Sequence, residues 1–277
     1  MKKLLIAIIL ILTVCLVVLP IIYIENYEDS KLGKKEEIKE STNESTNENT
    51  NENTNEIIRV ASLNMGYLNC GASSVECNPT WEDFRELFIN NDIDIIGTQE
   101  GGLFPSYMTN ASNEANLKNI FTETVPSRNS ISSKYELKNR KVTKLTSCKE
   151  GRAILKAVIE INGVKVSFYN THLGLSECNE KHFKDIANII KKDRNPVILT
   201  GDFNRTTIDR YEKYLKPLGA VIASHDTLTN NLWNKENYCD MVVIIPKGHI
   251  SILDSSTIET FGTLTDHNMV IAELSIY

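Results

Sequence analysis

Val197-Ile198-Leu199-Thr200-Gly201-Asp202-Phe203-Asn204 is the stretch on which the reading of this chain turns. Residues 197–200 follow Pro196 and form a short apolar run that reads as a buried strand. A carboxylate, Asp202, and a carboxamide, Asn204, then stand two residues apart just beyond the strand end. Side chains at strand ends gather on the rim of a sheet, so partners for this pair are expected at the ends of the other strands.

Upstream of it, residues 180–192 place Phe183, Ile186, Ile189 and Ile190 on one helical face, and the helix stops before Pro196. Residues 153–160 and 164–169 flank Asn162-Gly163, a two-residue hairpin signal, and form an antiparallel pair. Residues 57–63 and 93–98 read as strands. Between them Pro79 opens a helix whose Trp81, Phe84, Leu87 and Phe88 recur at core-facing spacing. Residues 241–245, 250–253 and 269–276 complete the strands. Hairpins mixed with helices predict an α+β fold of two sheets packed face to face with helices outside, because neither sheet can cover its apolar faces alone.

The chemically competent residues fall at those strand ends. Asn64 ends the first strand, Glu100 the second, and His172 follows the second hairpin strand; Asp240, Asp266 and His267 come just before late strands. In antiparallel sheets the end of one strand shares an edge with the start of its neighbour, so the whole set is expected to converge on one rim. Each residue alone reads as a turn or cap. Only the ordered set points to chemistry.

That ordered set resembles the endonuclease/exonuclease/phosphatase superfamily, whose members include DNase I-like nucleases, abasic-site endonucleases, bacterial sphingomyelinases and inositol-phosphate phosphatases. The likeness rests on Asn64 in Ser-Leu-Asn-Met, Glu100 in Thr-Gln-Glu, His172 in Asn-Thr-His-Leu, and Asp202 with Asn204 in Gly-Asp-Phe-Asn. Asp240 in Tyr-Cys-Asp-Met and the Asp266-His267 pair follow in family order, and Arg152 in Glu-Gly-Arg-Ala is a weaker match. The family's Asn-Ala-Ile-Leu-Ser segment survives only as Asn129-Ser130-Ile131-Ser132-Ser133.

The resemblance covers residues 57–277 and implies a four-layer DNase I-like sandwich with mostly antiparallel sheets. It also implies a phosphodiester hydrolase that uses Mg²⁺ or Mn²⁺. Asn64, Glu100 and Asp266 would hold the metal, and hard oxygen ligands suit these ions. Asp202 and Asn204 would handle the attacking water, with His267 steadied by Asp240 as a second acid/base. His172 and Arg152 would bind phosphate oxygens. His182, His225 and His249 read as structural or surface residues, and the choice of formal base stays open.

The two ends of the chain differ in kind. Residues 4–24 form an apolar run behind Lys2 and Lys3, long enough to cross a bilayer and lacking a small-residue cleavage site, so residues 1–25 are expected to anchor the chain in a membrane. The expected orientation puts the catalytic domain outside, with secretion as the alternative if the segment is cleaved. Residues 26–56 are expected to be a linker, since residues 41–56 contain only Ser, Thr, Asn and Glu. The first 56 residues hold 6 of the 30 basic and 10 of the 36 acidic residues, leaving 24 against 26 in the domain. Such a balance offers no bulk basic surface for nucleic acid, although a local basic groove is compatible with it.

No Cys-x-x-Cys pair is present, and Cys70 with Cys77 is one conceivable disulfide across a Gly/Ser loop. A nuclease acting on DNA or RNA is the first expectation for substrate. A phospholipid phosphodiesterase or inositol-phosphate phosphatase is the alternative, and an inactive binding module the third. Nothing points to a protein partner.

Overall fold

The computed structural model describes residues 55–68, 77–101, 105–123, 128–148, 151–204, 207–225 and 239–277. The expected anchor and all but the end of the expected linker lie outside them. Among the described residues no helix is long and apolar enough to cross a membrane.

The elements run β1 (Glu56–Asn64), α1 (Trp81–Asn90), β2 (Ile95–Gln99), α2 (Pro105–Glu114), β3 (Asn119–Thr122), β4 (Ser130–Ser133), β5 (Lys138–Lys144), β6 (Ala153–Ile161), β7 (Val164–His172), α3 (Ser176–Ile190), β8 (Val197–Asp202), α4 (Thr207–Arg210), β9 (Val221–His225), β10 (Asp240–Ile245), β11 (Ile250–Ile258) and β12 (Met269–Ile276). One six-stranded sheet has the order β11-β12-β1-β2-β4-β3, the other β5-β6-β7-β8-β10-β9. Pairing is antiparallel except at the centre of each sheet, where β1 lies parallel to β2 and β7 parallel to β8.

Three apolar clusters define four layers. Ile58, Val60 and Ile95 meet Leu155, Phe168 and Ile198 between the sheets. Ala61, Leu63 and Ile96 pack outward on Phe84 and Phe88 of α1 and Met108 of α2. Ile154, Tyr169 and Leu199 pack outward on Phe183, Ile186 and Ile190 of α3. Strand alternation explains the assignment, since neighbouring residues must face opposite sides.

Local chemistry starts and stops these elements where it should. Thr80 caps α1 through a reciprocal capping box with Asp83, Thr80 Oγ1 accepting the Asp83 amide at 3.3 Å and Asp83 accepting the Thr80 amide at 2.7 Å. Asn162 and Gly163 both take positive φ, 49° and 75°, as a tight hairpin turn between β6 and β7 requires.

Other boundaries depart from the sequence reading. β1 begins at Glu56, inside the expected linker, because Glu56 pairs with Ile276. Helix α3 begins at Ser176 rather than 180 and ends at Ile190. His225, read as a structural or surface residue, closes β9. Strands β3, β4, β5 and β9 and helix α2 lack the periodicity that would reveal them: β5 is largely exposed at a sheet edge and strongly cationic, and β4 buries serines.

Between the core and the rim lies a polar layer. The Asn170 carboxamide of β7 donates to the carbonyls of Thr98 and Ser130 in the facing sheet, both at 2.8 Å. Its Oδ1 accepts from Gln99 Nε2 at 2.7 Å and Thr200 Oγ1 at 3.2 Å. A Cβ on Gly97 would collide with Thr200 Oγ1 and Asn170, so only glycine permits the sheets to approach here. Asn170→Ala orphans two buried carbonyls and is expected to destabilise the fold by about 2 to 4 kcal/mol. Denaturant unfolding measures this, and an unchanged midpoint would contradict the bridging role.

Candidate active site

One step beyond that polar layer, on the same inward faces, the strand ends bring the expected residues together. Asp202 sits opposite His172 of parallel β7 and opposite Asp240 of antiparallel β10, so three functional groups stand side by side on adjacent strands. Neighbouring strands lie about 5 Å apart, which sets their spacing. Asn64 ends β1 across the interface and reaches over to donate from Nδ2 to Asp202 Oδ2 at 2.8 Å. Asn204 donates its backbone N–H to Asp202 Oδ1 at 2.7 Å and its side chain to the Leu173 carbonyl at 2.7 Å.

Glu100 and Asn204, each just past a strand end, hold positive φ values of 53° and 58°. Non-glycine residues rarely adopt this region, and such strain gathers at functional sites. Gly66, at φ 51°, lies so close to Asp266 Oδ1 that a Cβ would stand 2.5 Å from it. The turn after β1 therefore fits tightly under the Asp266 carboxylate.

His267 Nδ1 meets Asp240 Oδ2 at 2.6 Å, and its Nε2 faces Asp202 Oδ2 at 3.9 Å and Asp266 Oδ1 at 4.0 Å. Burial opposes a charge on His267, but Asp240, then Asp202 and Asp266, outweigh it and raise its pKa well above the usual value. His172 is the opposite case. Burial lowers it to about 3, so its ring is neutral; Nε2 lies 3.4 Å from Asp202 and Nδ1 makes no hydrogen bond among the described residues.

Burial would raise the Asp202 carboxyl, yet it is held below its ordinary value by the adjacent histidines and the two donors on its oxygens. Because His172 is neutral, we assign that effect chiefly to His267, Asn64 and the Asn204 amide. Glu100 rises to about 7, first through burial and then through the charge of Asp202. Asp266 is also raised, first by burial.

A divalent cation fits this donor set. Three carboxylates, Glu100, Asp202 and Asp266, interact on one rim, and burial, with the charge of Asp202 adding to it, raises two of them, so holding all three ionised here calls for a positive charge. Asp202, Asp240 and His267 also offer ligand atoms within 4.8 Å of one another. The short Asp240–His267 bond already occupies that imidazole nitrogen, which makes this group a poorer cage than Glu100 with Asp266. Asn64, expected as a metal ligand, spends its amide on Asp202 and accepts the Gly66 N–H at 3.0 Å. Its geometry is that of a brace for Asp202.

Arg152 is partly buried at the start of β6 and acts electrostatically on Glu100 and His172. The loop before it is tied to α3 by a Cys148–Cys178 disulfide, by Thr146 N donating to Asp185 and by buried His182, which contacts the Thr146 carbonyl and accepts the Gly174 N–H. The conceivable Cys70–Cys77 pairing involves a residue outside those described. Two residues escaped the sequence reading. Glu123 is a buried carboxyl that feels Arg152, and Tyr67 is an exposed aromatic whose N–H bonds the Glu100 carbonyl. Neither has a sequence signal, since both depend on contacts between distant strand ends.

Burial raises Glu123 from 4.5 to about 7, against opposing contributions from the Asn129 amide and Arg152. Below pH 4.5 the group is protonated in both states; between 4.5 and 7 only the unfolded chain releases the proton, so this carboxyl lowers stability as pH rises. Glu123→Gln is therefore expected to gain stability relative to the parent chain across pH 4.5 to 7, with a constant difference outside that window. Chemical denaturation in EDTA across pH tests it, and a pH-independent difference would rule the assignment out.

No family model and no curated protein matches the chain. Solved structures do. It is similar to an endonuclease/exonuclease/phosphatase from Bacteroides vulgatus, 18% identical with a TM-score of 0.63 over 80% of this chain and 100% of that one. It is similar to a mannosyl-6-phosphatase from Bacteroides thetaiotaomicron, 17% identical with a TM-score of 0.59 over 78% and 99% of the two chains. It is also similar to sphingomyelinase C from Streptomyces griseocarneus, 14% identical with a TM-score of 0.56 over 79% and 99%. The sandwich described above is thus the DNase I-like fold of endonuclease/exonuclease/phosphatase proteins.

Proposed function

We propose that the chain is a divalent-metal-dependent phosphoester hydrolase, and that its preferred substrate is a phosphodiester of nucleic acid. The observation that carries the reading is the meeting of an ionised Asp202 with the Asp240–His267 pair beside the carboxylates of Glu100 and Asp266. Phosphodiesters repel anionic nucleophiles, so their hydrolysis needs neutralised charge, an activated water and donors for the phosphoryl oxygens.

The residues divide those tasks. Glu100 and Asp266 would hold Mg²⁺ or Mn²⁺, which supplies Lewis-acid neutralisation of the phosphate. Asp202, ionised and oriented by Asn64 and Asn204, takes the proton of the water that attacks phosphorus. His267, kept as imidazolium by Asp240, donates a proton to the leaving oxygen as the phosphorus–oxygen bond breaks. Arg152 binds phosphoryl oxygens, and His172, neutral and set between Asp202 (Nε2, 3.4 Å) and Glu100 (Nδ1, 3.6 Å), turns its one ring N–H to a phosphoryl oxygen when substrate is bound.

Nucleic acid is favoured by Tyr67. The residue is 43% exposed, its backbone N–H is bonded to the Glu100 carbonyl at 3.1 Å, and the Arg128 guanidinium lies 5.8 Å from its ring centroid. An exposed aromatic with a cation beside a phosphodiester site is a platform for stacking a base next to the scissile group. A second reading, a phospholipid or inositol-phosphate substrate, draws on the near-neutral domain and the anchor expected over residues 1–25, which would hold the domain at the outer face of a cell membrane. The structural relatives named for a sugar phosphatase and a sphingomyelinase support the breadth of this class.

Incubation of the chain with Mg²⁺ and, in parallel, plasmid DNA, sphingomyelin and inositol phosphates separates these readings. DNA cleavage abolished by EDTA and restored by Mg²⁺ is the expected result; activity indifferent to chelation would falsify the metal assignment. Asp202→Ala and His267→Ala are each expected to lower turnover by at least ~100-fold with the fold intact. Tyr67→Ala is expected to raise KM for an oligonucleotide while sparing a small diester, and equal effects on both would remove the stacking role.

A further inference from the structure

Away from the rim, the face of β6 and β7 that packs on α3 carries a cavity of about 380 Å³ whose lining includes Lys141, Thr143, Lys156, Tyr169, Lys192 and Asp193. Lys141 of β5 stands directly opposite Lys156 of β6, so the two cations share one face of the sheet. Like charges so placed repel. Lys192, just past the end of α3, adds a third.

One carboxylate answers them. Asp193 Oδ2 takes Lys156 Nζ at 2.7 Å and the Tyr169 hydroxyl at 2.6 Å, while Oδ1 takes the Asn195 N–H at 3.1 Å. Its backbone carbonyl accepts Lys247 Nζ at 2.6 Å, which brings in a fourth ammonium group. Asp193 is therefore fully engaged, and Lys141 and Lys192 have no carboxylate partner among the described residues. This cationic excess stands out in a domain whose basic and acidic residues number 24 and 26.

Protection of an exposed sheet edge accounts for lysines on β5. It does not account for Lys156, which lies on an interior strand, nor for Lys192 at the end of a helix. The ammonium groups of Lys141 and Lys192, with the Thr143 hydroxyl and the N–H donors that Lys156 does not spend on Asp193, match a compact dianion with several acceptor oxygens.

We propose that this cavity is a second phosphate-binding site, taking inorganic phosphate or the phosphate of a small monoester. It is separate from the reacting phosphate. Lys156 lies four residues along β6 from Arg152, about 13 Å at strand rise, and Tyr169 faces α3 whereas His172 faces the other sheet.

Calorimetric titration of the full chain with inorganic phosphate tests the proposal on three proteins: the parent chain, K141Q/K192Q and R152Q. The parent is expected to show two sites. K141Q/K192Q, altered only at exposed side chains, is expected to lose one of them with at least a ~10-fold fall in affinity and to keep unchanged turnover on a small diester, while R152Q retains the site that K141Q/K192Q loses. A K141Q/K192Q protein that binds phosphate with the parent's stoichiometry and affinity overturns the proposal. Repeating the titration with methyl phosphate on R152Q separates the sources: binding within a few-fold of phosphate marks a monoester site, and a loss of at least ~10-fold marks a site for the free ion.

Discussion

Everything at the rim depends on how closely two sheets can approach where their cores become polar. The Asn170 carboxamide sets that approach, because it joins β7 to backbone carbonyls of β2 and β4 and leaves none of its own hydrogen-bonding capacity idle. Gly97 opposite supplies the space. Strand periodicity does the rest. Along β7 the inward positions read Phe168, Asn170, His172; along β8 they read Ile198, Thr200, Asp202; along β1, Val60, Ser62, Asn64. Core, polar seam and reactive rim are thus successive steps of one two-residue repeat. A displaced register in any of these strands would turn its functional side chain to the opposite face.

The rim is built against its own electrostatics. Asp202, Asp240, Asp266 and Glu100 crowd together, and the histidines among them respond in opposite directions, His267 drawn to the charged form by Asp240 and His172 held neutral by burial. Two imidazoles of one sequence thereby acquire two chemistries from environment alone. Burial opposes the charged forms of Glu100 and Asp266, and a cation between them would restore those charges, which is the structural reason for proposing one there. Left-handed backbone at Glu100 and Asn204 shows that local comfort yields to the placement of these groups.

How much of this was legible in the sequence follows from the same physics. Apolar alternation exposed β6, β7, β8, β10 and β12, because each buries at least one face, and Asn162-Gly163 announced its hairpin. Strands β3, β4 and β5 were hidden: a run such as Lys138-Asn139-Arg140-Lys141 carries no apolar period, and Ser130-Ile131-Ser132-Ser133 is buried despite its polarity. Strand ends identified Asn64, Glu100, His172, Asp202, Asp240 and His267 as candidates that the fold brings together. The brace that Asn64 provides for Asp202 was not legible, nor were Glu123, Tyr67 or the seam at Asn170. Those depend on which strands face one another, and a linear pattern does not encode that pairing.

On the proposed function, this rim drives attack of water on phosphorus. Hydrolysis of a phosphodiester by the Mg²⁺-loaded chain in ¹⁸O-enriched water reads that event directly by mass spectrometry of the products. One ¹⁸O atom is expected in the phosphate product and none in the released alcohol, with at least ~100-fold less labelled product from Asp202→Asn. Label in the alcohol, or labelled phosphate formed undiminished by Asp202→Asn, would contradict it.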